Sequence, residues 1–130
     1  MKDRLLVFKQ WQNKAALDLK TINILLKSKT APRSIVAFHC QQAIEKYFKS
    51  FLFYNEISFP NTHDLDLLLG LCLQKNSAFK LLNRSMIAEL KWYAVTQRYP
   101  GEEYEPTREE IKTYVNTVKQ TKLLIEKLTK

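Results

Sequence analysis

Apolar residues recur along this chain at steps of three and four, and short polar, proline-bearing segments cut the pattern into runs. Between about Arg4 and Lys29, Trp11, Ala15, Leu19, Ile22 and Leu26 share one helical face, and Lys9, Lys14, Lys20 and Lys27 keep the other side wet. Ser28 to Pro32 interrupts the run, and Pro32 suits the first turn of a following helix, where a missing N–H costs little. The second run, about Arg33 to Tyr54, is apolar on most sides: Ile35, Val36, Phe38, Cys40, Ala43, Ile44, Tyr47, Phe48, Phe51 and Leu52 nearly encircle it. Such a helix must be covered on most sides, which predicts the centre of a bundle. Its polar residues, His39, Gln41, Gln42, Glu45 and Lys46, therefore need an explanation.

After a break at Asn55 to Asn61, Thr62 or Asn61 can cap a third helix from about Asp64 to Gln74, rich in leucine from Leu65 to Leu73. A fourth is predicted from about Ala78 to Gln97, with Leu81, Leu82, Ile87, Leu90, Tyr93 and Ala94 inward. Pro100 and Gly101 stop it. Thr107 and Glu110 have the spacing of a capping box for a last helix ending near Leu128, with Ile111, Tyr114, Val115, Val118, Leu124, Ile125 and Leu128 on its inner face. No stretch alternates long enough for a strand, and no Asn-Gly or Asp-Gly hairpin turn occurs. The pattern predicts an all-α, up-and-down antiparallel bundle of four to five helices, one domain over residues 1–130.

Composition agrees. Only 2 glycines and 4 prolines occur, too few for a turn-rich sheet protein, and 45% hydrophobic residues suffice for a core without metal or disulfides. No apolar run approaches the roughly 18 residues that span a bilayer, and the N-terminus mixes charge into its apolar positions, unlike a secretory signal. Cys40 and Cys72, in apolar surroundings, read as buried reduced thiols, which points to the cytoplasm, or else as the two halves of one disulfide. No Cys/His cluster has metal-ligand spacing. The net charge of +8 is uneven: residues 1–58 carry +6, residues 59–106 carry −1 and residues 107–130 carry +3. Basic ends attract phosphate polymers or acidic partners, yet no block of five like charges occurs.

The string FHCQQAIEKYFK, Phe38 to Lys49, is distinctive. Together with W-x3-A-x2-DL (Trp11, Ala15, Asp18, Leu19), FPNTHDL (Phe59 to Leu65) and RYPG (Arg98 to Gly101), it resembles the HEPN family (higher eukaryotes and prokaryotes nucleotide-binding). The four segments occur in order over nearly the whole chain. The resemblance implies a helix bundle that commonly forms homodimers. It also implies one of several roles: ribonuclease, toxin paired with a small nucleotidyltransferase, or nucleotide-binding accessory protein. Ribonuclease members carry an Arg followed, after four to six residues, by a His, usually with a polar residue next to the Arg. A cation holds the scissile phosphate and an imidazole transfers protons. Here the matching Arg is Arg98, but Glu103, Tyr104 and Glu105 occupy the histidine positions and Tyr99 follows the arginine. Glu102, Glu103 and Glu105 would repel an RNA backbone. The departure argues against the family's metal-independent cleavage.

Arg98 remains a candidate phosphate ligand, because a guanidinium makes paired bonds to phosphate oxygens, or a helix tie through Asp18 or Glu45. His39, Gln42, Glu45 and Lys46 can share one strip of the second helix, which lines either a ligand cleft or a satisfied seam. His39, Gln42, Lys46 and His63 join Arg98 as candidate nucleotide or phosphate contacts, although each histidine taken alone reads first as structural, His63 as a cap to helix three. Tyr104 resembles, imperfectly, a tyrosine that the partner enzyme nucleotidylates in the toxin branch. Trp11, Trp92, Phe51, Phe53 and Tyr54 are large enough for a dimer face. Three functions are expected in turn. The first is a homodimeric nucleotide- or RNA-phosphate-binding module beside a separately encoded nucleotidyltransferase, with no cofactor, metal or membrane. The second is a divergent ribonuclease or toxin, and the third a pure interaction module.

Overall fold

A computed structural model describes residues 2–94 and 105–130. Its long helices fall close to the predicted runs: α1 is Lys2–Leu26, α2 is Arg33–Tyr54, α3 is Leu65–Lys75, and α5 is Arg108–Leu128. No strand occurs among the described residues. The protein is an all-helical bundle around α2, which packs against α1, α3, α5 and a short turn at Leu90–Tyr93. Ala43, Ile44, Phe48 and Leu52 of α2 are fully buried.

α1 and α2 form an antiparallel hairpin. Arg4 pairs with Glu56 at 3.2 Å, the rings of Phe8 and Tyr54 lie 4.9 Å apart, and Asp18 meets His39 at 2.9 Å. Partners that rise in one helix as they fall in the other fix that direction. α2 ends on carbonyl-satisfying bonds: Glu56 N–H donates to the Phe53 carbonyl and Ile57 N–H to the Leu52 carbonyl, with Glu56 left-handed at φ 58°. Glycine tolerates that conformation without the penalty of about 1 kcal/mol or more that a side chain brings. Glu56→Gly is therefore expected to raise stability by about 0.5–1 kcal/mol, less the small exposed ion pair to Arg4. A thermal-unfolding midpoint lower than that of the parent protein would refute this.

The fourth element differs from its prediction. In place of one helix from Ala78, there is a 3-10 turn at Ser77–Leu81, a six-residue helix α4 at Arg84–Glu89, and a second 3-10 turn at Leu90–Tyr93. Two asparagines restart the chain. Asn76 Oδ1 accepts from Ala78 N–H, and Asn83 Oδ1 accepts from Met86 N–H and the Ser85 hydroxyl. Leu82 between them is extended, so Leu81, expected inward, is 81% exposed, whereas Leu82, Ile87 and Leu90 are buried as expected. Residues 95–97 lie outside the described residues.

The α3 cap falls on a different residue from the expected Thr62 or Asn61, and the α5 cap falls where expected. Asp64 itself caps α3, accepting from Asp66 and Leu67 N–H, while the Thr62 hydroxyl accepts from Asp64 N–H. The Thr107–Glu110 capping box of α5 forms in both directions at 3.0 and 2.8 Å. Beside it, Glu105 accepts from Arg33 N–H, and Arg33 Nε donates to the Pro106 carbonyl. Those bonds tie the start of α5 to the start of α2.

Candidate functional site

The polar residues of α2 occupy one side of an otherwise apolar helix. At about 100° per residue, His39, Lys46, Gln42, Lys49, Glu45 and Gln41 sweep roughly 160° of arc. Two buried carboxylates organise them, one at each edge. Asp18 of α1 accepts from His39 Nδ1 at 2.9 Å and from Lys46 Nζ at 2.5 Å. Glu45 of α2 accepts from Lys49 Nζ at 2.9 Å, from His63 Nδ1 at 2.8 Å and from Gln41 Nε2 at 3.1 Å. Gln41 also donates to the His63 carbonyl, and Gln42 donates to Gln41 Oε1 at 2.6 Å. Asp18 and Glu45 are each under a tenth exposed, and such carboxylates need this many donors to offset the water they lose.

Two kinds of cation result. Lys49 is buried with its ammonium 5.5 Å from the Trp11 ring centroid, so it is spent on internal contacts. His39 and Lys46 are about a quarter exposed, and the His63 side chain is 64% exposed. Because a carboxylate accepts at each Nδ1, both imidazoles carry their proton there and turn Nε2 away from the anchor. The Tyr47 hydroxyl is buried and has no hydrogen-bond partner among the described residues; burial, with Glu126 and Asp18 nearby, pushes it up to about 12.

Of the candidate residues, His39 and Lys46 thus share Asp18, while Gln42 (through Gln41) and His63 belong to a second network on Glu45, and α2 carries the two side by side as one polar seam. His63 does not cap α3; its ring serves Glu45. Arg98 and Tyr104 lie outside the described residues, and Asp18 and Glu45, considered as ties for Arg98, are engaged as above. Asp18 was the anchor that sequence reasoning did not identify. The seven-residue step from His39 to Lys46 on one helical line, facing an aspartate in an otherwise apolar stretch of α1, was the available signal. Phe51, considered for a dimer face, is buried against Phe79, while Trp92 is 60% exposed. Among the described residues no cluster of three or more His, Cys, Asp or Glu could hold a metal ion, and no helix is long and apolar enough to cross a membrane.

A family model described as HEPN domain matches residues 8–128. The chain belongs to the HEPN-domain family. The matched span contains every element of the seam, and membership supports a nucleotide- or RNA-related module. No match was found among curated proteins or among solved structures.

Both cysteines of this HEPN domain are unbridged and buried. Burial pushes the Cys40 thiol up to about 12 and raises that of Cys72 too, so neither forms a thiolate near neutral pH. Native protein is expected to leave both unmodified by a thiol-reactive dye at pH 8, with two equivalents reacting after denaturation. Fast labelling of the native form would contradict this burial.

Proposed function

We propose that this HEPN protein is a nucleotide- or RNA-phosphate-binding module that acts as a homodimer beside a separately encoded nucleotidyltransferase. One observation carries the reading: buried Asp18 holds the His39 imidazole and the Lys46 ammonium side by side at the partly exposed edge of the α1–α2 seam. An ammonium held in place loses little entropy when a phosphate oxygen arrives, and an imidazole that carries protons on both nitrogens donates from Nε2 as well. Gln42 lies on the same strip, His63 adds a more exposed imidazole, and Arg98 is the further phosphate ligand that the family pattern supplies. Tyr104 is a candidate for modification by the partner enzyme.

Calorimetric titration with ATP, GTP and a short RNA tests the reading. Wild-type protein is expected to bind at least one of them, and Lys46→Gln to weaken binding about tenfold or more, the usual loss for a charge-assisted bond. Heat from none of the three ligands would leave only the pure interaction module standing, and binding indifferent to both Lys46→Gln and Arg98→Ala would reject these residues as the site.

The Asp18–His39 bond also favours a second reading. A carboxylate that fixes Nδ1–H leaves Nε2 in the form a general base requires, so His39 can stand in for the missing motif histidine of a divergent ribonuclease. RNA cleavage that persists in chelator and disappears in both His39→Ala and Arg98→Ala would establish it.

A further inference from the structure

α1 packs principally on α2, and its outer face carries an apolar line that stays exposed among the described residues. Leu6, Leu17 and Ile24 are 58%, 63% and 58% exposed. They stand eleven and seven residues apart, about three and two helical turns, so they align on one side of α1. Ala15, Leu19 and Ile22 occupy the opposite, buried side. Exposed Lys9, Lys20 and Lys27 flank the line on one edge and Lys14 on the other, with Gln10 and Asn13 between the leucines. None of these lysines forms an ion pair among the described residues, and Asp18, one of the two acidic residues of α1, is buried and already paired.

We infer that the outer face of α1 docks an amphipathic helix of a partner protein, about five turns long, with aliphatic residues along its centre and Asp or Glu on its flanks. Charge selects the occupant. In a second copy of α1, antiparallel pairing sets the Lys9–Lys20–Lys27 edges against each other, and parallel pairing sets that edge against Lys14; both juxtapose like charges. An RNA backbone would satisfy the lysines but leave three large aliphatic side chains in water, without an aromatic ring for a base to stack on. A lipid surface would bury Gln10 and Asn13, whereas a partner helix can hydrogen-bond them. The acidic helix alone satisfies the whole face. The line from Leu6 to Ile24 spans about 27 Å, which sets the length required.

The test uses the whole protein and fluorescein-labelled helical peptides of about 18 residues: one with a leucine stripe and glutamate edges, the other with lysine edges. Fluorescence anisotropy is expected to show binding of the acidic peptide only, weakening with added salt. Leu17→Ser/Ile24→Ser and, separately, Lys9→Gln/Lys20→Gln/Lys27→Gln should each reduce affinity at least tenfold, with helical circular dichroism unchanged because all five positions are exposed. No binding of the acidic peptide overturns the inference. So does loss in the lysine variant alone, which marks generic attraction of a polyanion. A dimer in sedimentation that Leu17→Ser/Ile24→Ser dissociates would give the face to a second copy. Binding to phosphatidylserine vesicles abolished by that variant would give it to lipid. Either result also overturns the proposal.

Discussion

Lys49→Met is expected to lower the stability of the folded protein by about 3 kcal/mol, a fall of roughly 2 M in the urea midpoint at unchanged slope. Methionine keeps most of the aliphatic stem beside Trp11, so packing changes little. What disappears is the ammonium beside Glu45, a carboxylate whose side chain is only 4% exposed. His63 and Gln41 still donate to that carboxylate, which limits the loss to the lower end of the range for a broken buried pair. Glu45→Leu in the same chain removes the stranded charge, and the double variant should recover at least half of the loss. A double-mutant cycle with coupling near zero would show that the buried pair contributes nothing to stability. The consequence reaches function through His63: without a well-held Glu45, the exposed imidazole loses its anchor, so phosphate binding in Lys49→Met should weaken even where the protein remains folded.

The long helices were legible because each buries a face whose period is written in the sequence. α2 starts and ends where Pro32 and Asn55 interrupt its apolar run, and Thr107 with Glu110 marks the start of α5. The fourth element was misread for a physical reason. Leu81, Leu82 and Ile87 fit a continuous helical face, but Asn76 and Asn83 offer their own backbone a competing bond, and two restarts result. Periodicity records which residues are apolar, not whether a side-chain amide interrupts the ladder between them. The site was partly legible on similar terms. A strip of His39, Gln42 and Lys46 follows from spacing within one helix. Its anchoring by Asp18, twenty-one residues from His39, depends on how two helices cross, which local pattern does not encode.

That broken fourth element supports the other large effect: Phe79→Ala should cost about 3–5 kcal/mol. Phe79 is 1% exposed and sits edge-on to Phe51 at 4.7 Å and to Phe48 at 6.0 Å, so it fixes the first 3-10 turn to the centre of α2. A five-residue turn has too few internal bonds to persist alone, and its position rests on this one ring. Truncation leaves a cavity between α2 and the turn, and it loosens the segment leading through α4 to Tyr93. Leu81→Ala, two residues on, should change stability by less than about 0.5 kcal/mol, because that side chain is 81% exposed. A continuous helix with Leu81 inward demands the reverse: a substantial loss at Leu81. The two unfolding curves therefore decide between the arrangements, and equal losses at both positions would reject the break at Asn83. If Phe79→Ala also lowers the slope of the urea transition, the segment from Ser77 to Tyr93 has detached before global unfolding, whereas an unchanged slope means that it unfolds with α2.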